Sequence, residues 1–206
     1  MDYAEVKALA LADPRMKTLA EKENELTNLR IINNKYIENK RNMKEDIDSS
    51  ERYIQLMEKQ IKGTECNCKD LAEKKDEDFK VLRQILTGYL IPDQIRAGGK
   101  NLGTAWGYDF KTPVNQSQEK PVFTMTRNDA TYTIESGDSA SGNAQRVTNR
   151  LNGLDNYLVD LREKLETKRH NLEQLKIEMN AVNPYFDQIQ LLEGEVKTLR
   201  EQIDAD

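Results

Sequence analysis

The sequence predicts an α+β protein, mostly α: a long antiparallel helical hairpin, in effect a coiled-coil stalk, with a small three-stranded antiparallel β cap. Three observations lead there. Apolar residues recur at heptad spacing near both ends of the chain. A Gly- and aromatic-containing segment separates the two repeats. Within that segment the period changes from helical to alternating.

Residues 3–11 read as a short amphipathic helix with Val6, Leu9 and Ala10 on one side. Asp13-Pro14 then supplies an N-cap followed by proline at the first helical position. The first long arm follows, from about Arg15 to Ile61. Its seam has two sets: Lys22, Leu29, Tyr36, Met43, Ser50 and Met57, and Leu19, Leu26, Asn33, Lys40, Ile47, Ile54 and Ile61. Asn33, Lys40 and Ser50 interrupt it; a polar group at a seam position costs stability and fixes register.

Gly63 through Cys68 are expected to break this arm. A helix over about 69–90 is expected from Leu71, Phe79, Leu82, Ile85 and Leu86, ending at Ile91-Pro92, and residues 93–104 are expected to be irregular. Alternation around Trp106, Tyr108 and Phe110 predicts a strand over 104–111. Strands over 121–126 and 131–135 follow, joined by an Asn128-Asp129 turn. The sheet should rest one face on helix 69–90 or on the stalk. Ser136 to Gly142 reads as a polar loop, and Asn143 as the start of the returning helix.

On the returning arm, alternate steps of three and four residues from Leu151 reach Ile203 through sixteen positions, thirteen of them apolar. The exceptions are Lys168, Glu193 and Arg200. A helix under-wound to about 3.5 residues per turn keeps such a seam on one face. Asn183-Pro184 must interrupt it, because proline lacks the N–H donor and clashes with the preceding turn. The segment 185–203 is expected to fold back on residues 3–11. Domain boundaries follow: residues 1–62 as the first arm with its short leading helix, 63–142 as the cap, and 143–206 as the returning arm.

A lone amphipathic helix leaves its apolar stripe wet. Antiparallel pairing within one chain is the simplest remedy, since covalent connection raises the effective concentration. Homodimerisation through the same seams is the competitor, and a monomer is favoured. Helices of about 45 residues would extend ~65 Å.

Composition narrows the function classes. Charged residues are 33% of the 206 and apolar residues 37%, which suits a solvated coiled coil. No apolar run approaches the ~20 residues of a membrane span, and the acidic, helix-like start does not resemble a signal peptide. A cytoplasmic protein is expected. The net charge of −5 is uneven. Residues 151–206 hold twelve acidic and seven basic groups, the whole imbalance, whereas residues 1–62 balance and residues 91–150 are nearly neutral. An acidic rod repels DNA or occupies a basic groove meant for it; it also serves plain solubility.

Chemistry is sparse. Cys66 and Cys68 with the single His170 fall short of the four ligands of a tetrahedral zinc site, so neither metal nor cofactor is expected. A strained disulfide or two inert thiols in a loop is the better reading of the pair. The chain has no GxGxxG, P-loop, HExxH or CxxC, and no enzyme is expected. The cap is the one candidate recognition surface. Trp106 and Tyr108 with Lys111, Arg127, Arg146 and Arg150 combine aromatic faces with cations, a mixture that stacks bases and neutralises phosphates. Phe110, Phe123 and Tyr132 read instead as the core of the small sheet.

Several stretches carry a resemblance. They are Tyr3-Ala4-Glu5-Val6-Lys7-Ala8-Leu9-Ala10 with Pro14, Gly107-Tyr108-Asp109-Phe110, Tyr132-Thr133-Ile134-Glu135, and Gly142-Asn143-Ala144-Gln145-Arg146-Val147-Thr148-Asn149 with Leu154. Outside Gly63–Gly103 the chain resembles the C-terminal region of the large helicase/DNA-methylase-like proteins of conjugative elements and phages of gut Firmicutes. The resemblance implies a mobile-element origin and no catalysis, here as a stand-alone protein from Met1 to Asp206. In that context the expectation is an anti-CRISPR protein. Its partner would be a CRISPR effector nuclease or its guide complex, and it would block target-DNA binding or cleavage. The alternative is a nucleic-acid-binding accessory module that touches DNA directly.

Overall fold

A computed structural model describes residues 14–115, 117 and 119–205. It is mostly helical, with a four-stranded antiparallel sheet. In chain order come α1 (Pro14–Leu71), α2 (Asp76–Tyr89), α3 (Pro92–Ala97), β1 (Asn101–Ala105), β2 (Tyr108–Lys111), β3 (Val122–Arg127) and β4 (Ala130–Glu135). Then follow α4 (Ala140–Asn152), α5 (Leu154–Asn180) and α6 (Phe186–Asp204). The chain divides into two compact units, residues 1–49 with 172–206 and residues 50–171. The helix expected at 3–11, its contact with 185–203 and the cap at Asp13 lie outside the described residues. Pro14 does open α1.

The heptad expectation holds along α1. All thirteen seam positions are buried or half-buried, from Leu19 to Ile61. The expected break at Gly63–Cys68 is corrected, because α1 runs on to Leu71. The seam continues through Thr64, Cys68 and Leu71 on the same side, so packing outweighs the ~1 kcal/mol that a helical glycine costs. The glycine is there for closeness. A β-carbon at Gly63 would lie 2.0 Å from the Asn128 carbonyl oxygen.

In the unit of residues 1–49 and 172–206, Leu26 of α1 packs with Leu192 and Val196 of α6, flanked by Leu19, Leu29 and Ile189. Ion pairs run in opposite directions along the two helices: Arg30–Glu193 at 2.7 Å and Glu23–Arg200 at 2.5 Å. The polar seam residues have partners. Asn183 Nδ2 donates to Asn33 Oδ1 at 2.7 Å. Lys40 Nζ donates to the carbonyls of Glu178 (2.6 Å), Met179 and Ala181 (3.0 Å), at the C-terminal end of α5 and just beyond it. The break at Asn183-Pro184 is observed between α5 and α6. It also resets the helical phase, which corrects the predicted seam. Inward positions become Ile189, Leu192, Val196, Leu199 and Ile203, while Val182, Phe186, Glu193 and Arg200 face outward.

In the unit of residues 50–171, Ile54, Met57 and Ile61 of α1 and Leu158, Leu161 and Leu165 of α5 are buried. Arg169–Glu58 (2.8 Å) and Arg162–Glu65 (2.6 Å) link the same helices in antiparallel order. The sheet has order β1-β2-β3-β4, so the expected three strands become four. The single strand read over 104–111 is a hairpin. Trp106 (φ 50°) and Gly107 (φ 73°) are both left-handed, and this two-residue turn reverses the chain between the paired Ala105 and Tyr108. Aromatic alternation across the turn concealed it. Asn128 and Asp129 (φ 52° and 61°) form the expected second turn.

One sheet face, with Tyr108, Phe110, Phe123, Met125, Tyr132 and Ile134, is buried against Leu82 and Leu86 of α2, Ile95 of α3 and Ala144, Val147 and Leu151 of α4. Phe110, Phe123 and Tyr132 are core residues, as read from sequence. The irregular stretch expected after Pro92 opens instead with α3, since proline suits a first helical turn. Helix α4 starts at Ala140, not Asn143. Ser139 Oγ accepts from the Gly142 N–H at 3.1 Å as its N-cap. Asn143 is fully buried; its side chain accepts from Gly137 N at 2.6 Å and donates to Leu90 O at 3.1 Å. Gly153 separates α4 from α5, a break the heptad did not suggest.

Candidate recognition surface

The six candidate residues do not form one site. Trp106, Tyr108 and Arg127 come together beside the end of α1. Trp106 is half-buried, with its ring edge-to-face on Phe79 at 5.1 Å and the Lys74 ammonium over it at 5.3 Å. Holding a bulky non-glycine residue at positive φ is unusual, and the Gly107 that follows takes the other strained position. A groove of about 560 Å³ runs here, lined by Lys69, Asp70, Leu71, Glu73, Lys74, Trp106 and Arg127. Arg127 is committed. It pairs with Asp70 at 2.5 Å and lies over the Tyr108 ring at 5.3 Å.

Tyr108 is only 1% exposed and belongs to the core, not to a contact face. Burial pushes its hydroxyl pKa up, with the neighbouring Tyr132 adding to the rise and Arg127 opposing it. That hydroxyl has no hydrogen-bond partner among the described residues. Tyr132 differs. Its hydroxyl donates to Thr64 Oγ1 (3.1 Å) and accepts from Asn67 Nδ2 (2.9 Å), and Asn128 Nδ2 donates to Asn67 Oδ1 (2.9 Å). Burial raises the Tyr132 pKa too, partly offset by these two partners. The sequence reading missed this network. Its signal was present, since Gln60, Thr64, Asn67 and Leu71 recur at helical spacing and make a half-polar stripe.

Lys111 stands apart on the open face of the sheet, in a row with Thr124 and Thr133. Another cross-strand row there is Thr104, Asp109, Thr126 and Thr131, tied by Thr104–Asp109 (2.7 Å) and Thr126–Thr131 (3.0 Å) hydrogen bonds, and Val122 pairs with Glu135 beyond Thr124 and Thr133. No aromatic joins any of these rows, so this face offers nothing for a base to stack on.

Arg146 and Arg150 occupy a third place. They sit one turn apart on α4, in a groove of about 620 Å³ with Asn149, Gly153, Val122, Thr133, Ile134 and Glu135. The Arg150 guanidinium lies over Tyr157 at 5.3 Å. Neither arginine has a carboxylate partner among the described residues.

Cys66 and Cys68 lie within α1, not in a loop, and both are free. Residues two apart in a helix point to nearly opposite sides, so no disulfide can join them. Burial, then a hydrogen bond to Asp155, pushes the Cys68 thiol up to about 11. His170 is exposed. Among the described residues no group of three or more His, Cys, Asp or Glu is placed to hold a metal ion, and no helix is long and apolar enough to cross a membrane. No protein-family model, curated protein or solved structure matches this chain.

Proposed function

We propose that the chain is a non-enzymatic mobile-element protein, cytoplasmic and monomeric, that binds and inhibits a host defence nuclease. The partner is an RNA-guided CRISPR effector or its guide complex, and inhibition works by keeping target DNA out. The observation that carries this reading is the acidic helical surface. Asp160 and Glu163 of α5 are exposed, one turn apart and without an ion-pair partner among the described residues. They belong to the segment 151–206 that holds the chain's whole negative excess. Carboxylates on a rigid helix compete for a basic nucleic-acid groove. The resemblance to helicase/methylase-like proteins of mobile elements supports the context. The long antiparallel hairpin is part of the same reading, supported by the opposed order of ion pairs within each unit.

Plasmid-cleavage assays with a panel of CRISPR nucleases test it. Cleavage by at least one effector should stop at modest molar excess, and Asp160→Asn with Glu163→Gln should weaken the effect. Full cleavage across the panel at large excess would overturn it.

The alternative, a nucleic-acid-binding accessory module, draws on the unpaired Arg146 and Arg150. It requires binding that weakens steeply with salt. A low-salt mobility-shift titration without a shift removes it.

A further inference from the structure

The two edges of the sheet differ. β1 is bulged between Asn101 and Gly103, so this edge is broken, while the Tyr89 ring packs on its face where a Gly103 side chain would go. β4 pairs with β3 in unbroken register over all six residues. Its outward backbone groups can be assigned. The two-residue turn at Asn128-Asp129 makes Arg127 and Ala130 a hydrogen-bonded pair. Thr131, Thr133 and Glu135 therefore turn their N–H and C=O away from β3.

Thr131 confirms the phase. The Gln60 side chain accepts from its N–H (2.9 Å) and donates to its carbonyl (3.0 Å), as a neighbouring strand would. Ser136 N donating to Pro121 O at 2.7 Å confirms it at the other end. Gln60 covers Thr131 alone. The outward backbone groups of Thr133 and Glu135 have no partner among the described residues, and they border the groove that holds Arg146, Asn149 and Arg150.

We propose that β4 is a strand acceptor: its open edge at Thr133 and Glu135, with Arg146 and Arg150 of α4, takes an extended acidic peptide segment of a partner protein. A strand added there gains main-chain hydrogen bonds from both residues, and its alternate side chains carry the specificity. Side chains on the inner side of such a strand lie over α4, because α4 packs under the buried face that includes Ile134. They meet two guanidinium groups with no carboxylate partner, which select acidic residues at every second position. Side chains on the outer side lie beside Thr133 and Glu135, where further acid is disfavoured. The proposal goes beyond the nuclease reading and does not depend on it.

The test uses the full chain and a fluorescent synthetic peptide that alternates glutamate and valine, with a lysine–valine peptide as control. Anisotropy should show binding of the first and not the second. Hydrogen exchange should slow at the Thr133 and Glu135 amides when the acidic peptide is bound. Arg146→Ala, exposed, with Arg150→Ala, half-buried over the Tyr157 ring, both outside the core, should weaken binding at least about tenfold while leaving the circular dichroism unchanged. The proposal is overturned if both peptides bind alike or neither binds, or if the two amides stay unprotected. It is equally overturned if their protection rises with protein concentration in the absence of peptide, which would make a second copy the occupant. Protection by a DNA duplex in place of the acidic peptide would also overturn it.

Discussion

The α-carbon of Gly63 and the carbonyl oxygen of Asn128 sit so close that no side chain fits between them. A β-carbon at Gly63 would come within 2.0 Å of that oxygen and 2.9 Å of Ala130 N. The helix thus lies directly against the β3–β4 turn, which is backbone and cannot swing aside. Gly63→Ala should cost about 2–3 kcal/mol. Gly194→Ala, also in a helix but with nothing within 4 Å, should stabilise by up to ~1 kcal/mol. Urea titration of both variants measures the difference.

The tyrosine pair Tyr108 and Tyr132 separates a satisfied buried hydroxyl from an orphaned one. Tyr132→Phe removes the bridge between Thr64 and Asn67, which keep their bonds to the Gln60 and Arg127 carbonyls, a loss of about 1 kcal/mol. Tyr108→Phe removes a hydroxyl without a partner and should be neutral or stabilising. Thermal melts of the two variants should move in different directions, or one should not move at all.

Lys40 is a seam lysine that caps a helix. Lys40→Met keeps the apolar stem and loses the donors to Glu178, Met179 and Ala181. The expected cost is about 1–2 kcal/mol, against no measurable change for the exposed Lys44→Met.

These positions show what the sequence made legible. The heptad on α1 was readable from Leu19 to Ile61 because burial of one stripe is the dominant constraint on a long helix. On the returning arm it was readable only as far as the proline, since a turn resets the phase and no spacing rule crosses it. Gly63 looked like a breaker because propensity is local, whereas its reason is a turn some sixty-five residues away in sequence. Trp106 looked like a strand residue because aromatics favour strands. Its positive φ is imposed by the hairpin, with only the adjacent glycine as a clue. Of the recognition candidates, residue type was legible and grouping was not. Cations and aromatics were in hand, but their division among the Trp106 groove, the open sheet face and the β4 edge depends on tertiary placement.

Cys68 provides a pH handle. The unfolded thiol loses its proton near 9.0 and the folded one near 11. Across that interval the unfolded state binds fewer protons, so stability falls as pH rises; it is fully present below about 9 and levels off beyond about 11. Cys68→Ser should flatten this part of the profile, leaving the tyrosine-linked loss above pH 10. At neutral pH a thiol reagent should label the exposed Cys66 well ahead of Cys68.

Leu161 and Leu165 test whether the stripe on α5 is buried as described. Leu161→Asp places a charge at a position 7% exposed and should destabilise by several kcal/mol. Glu163→Gln, two residues on and exposed, should melt like the parent.

The most direct measurement of the proposed role is affinity capture of the tagged chain from cells that carry a CRISPR system, with and without DNase treatment of the lysate. An inhibitor that excludes DNA should recover the effector protein, and recovery should survive DNase. Recovery of DNA alone, or of an effector that is lost once DNA is digested, would contradict it.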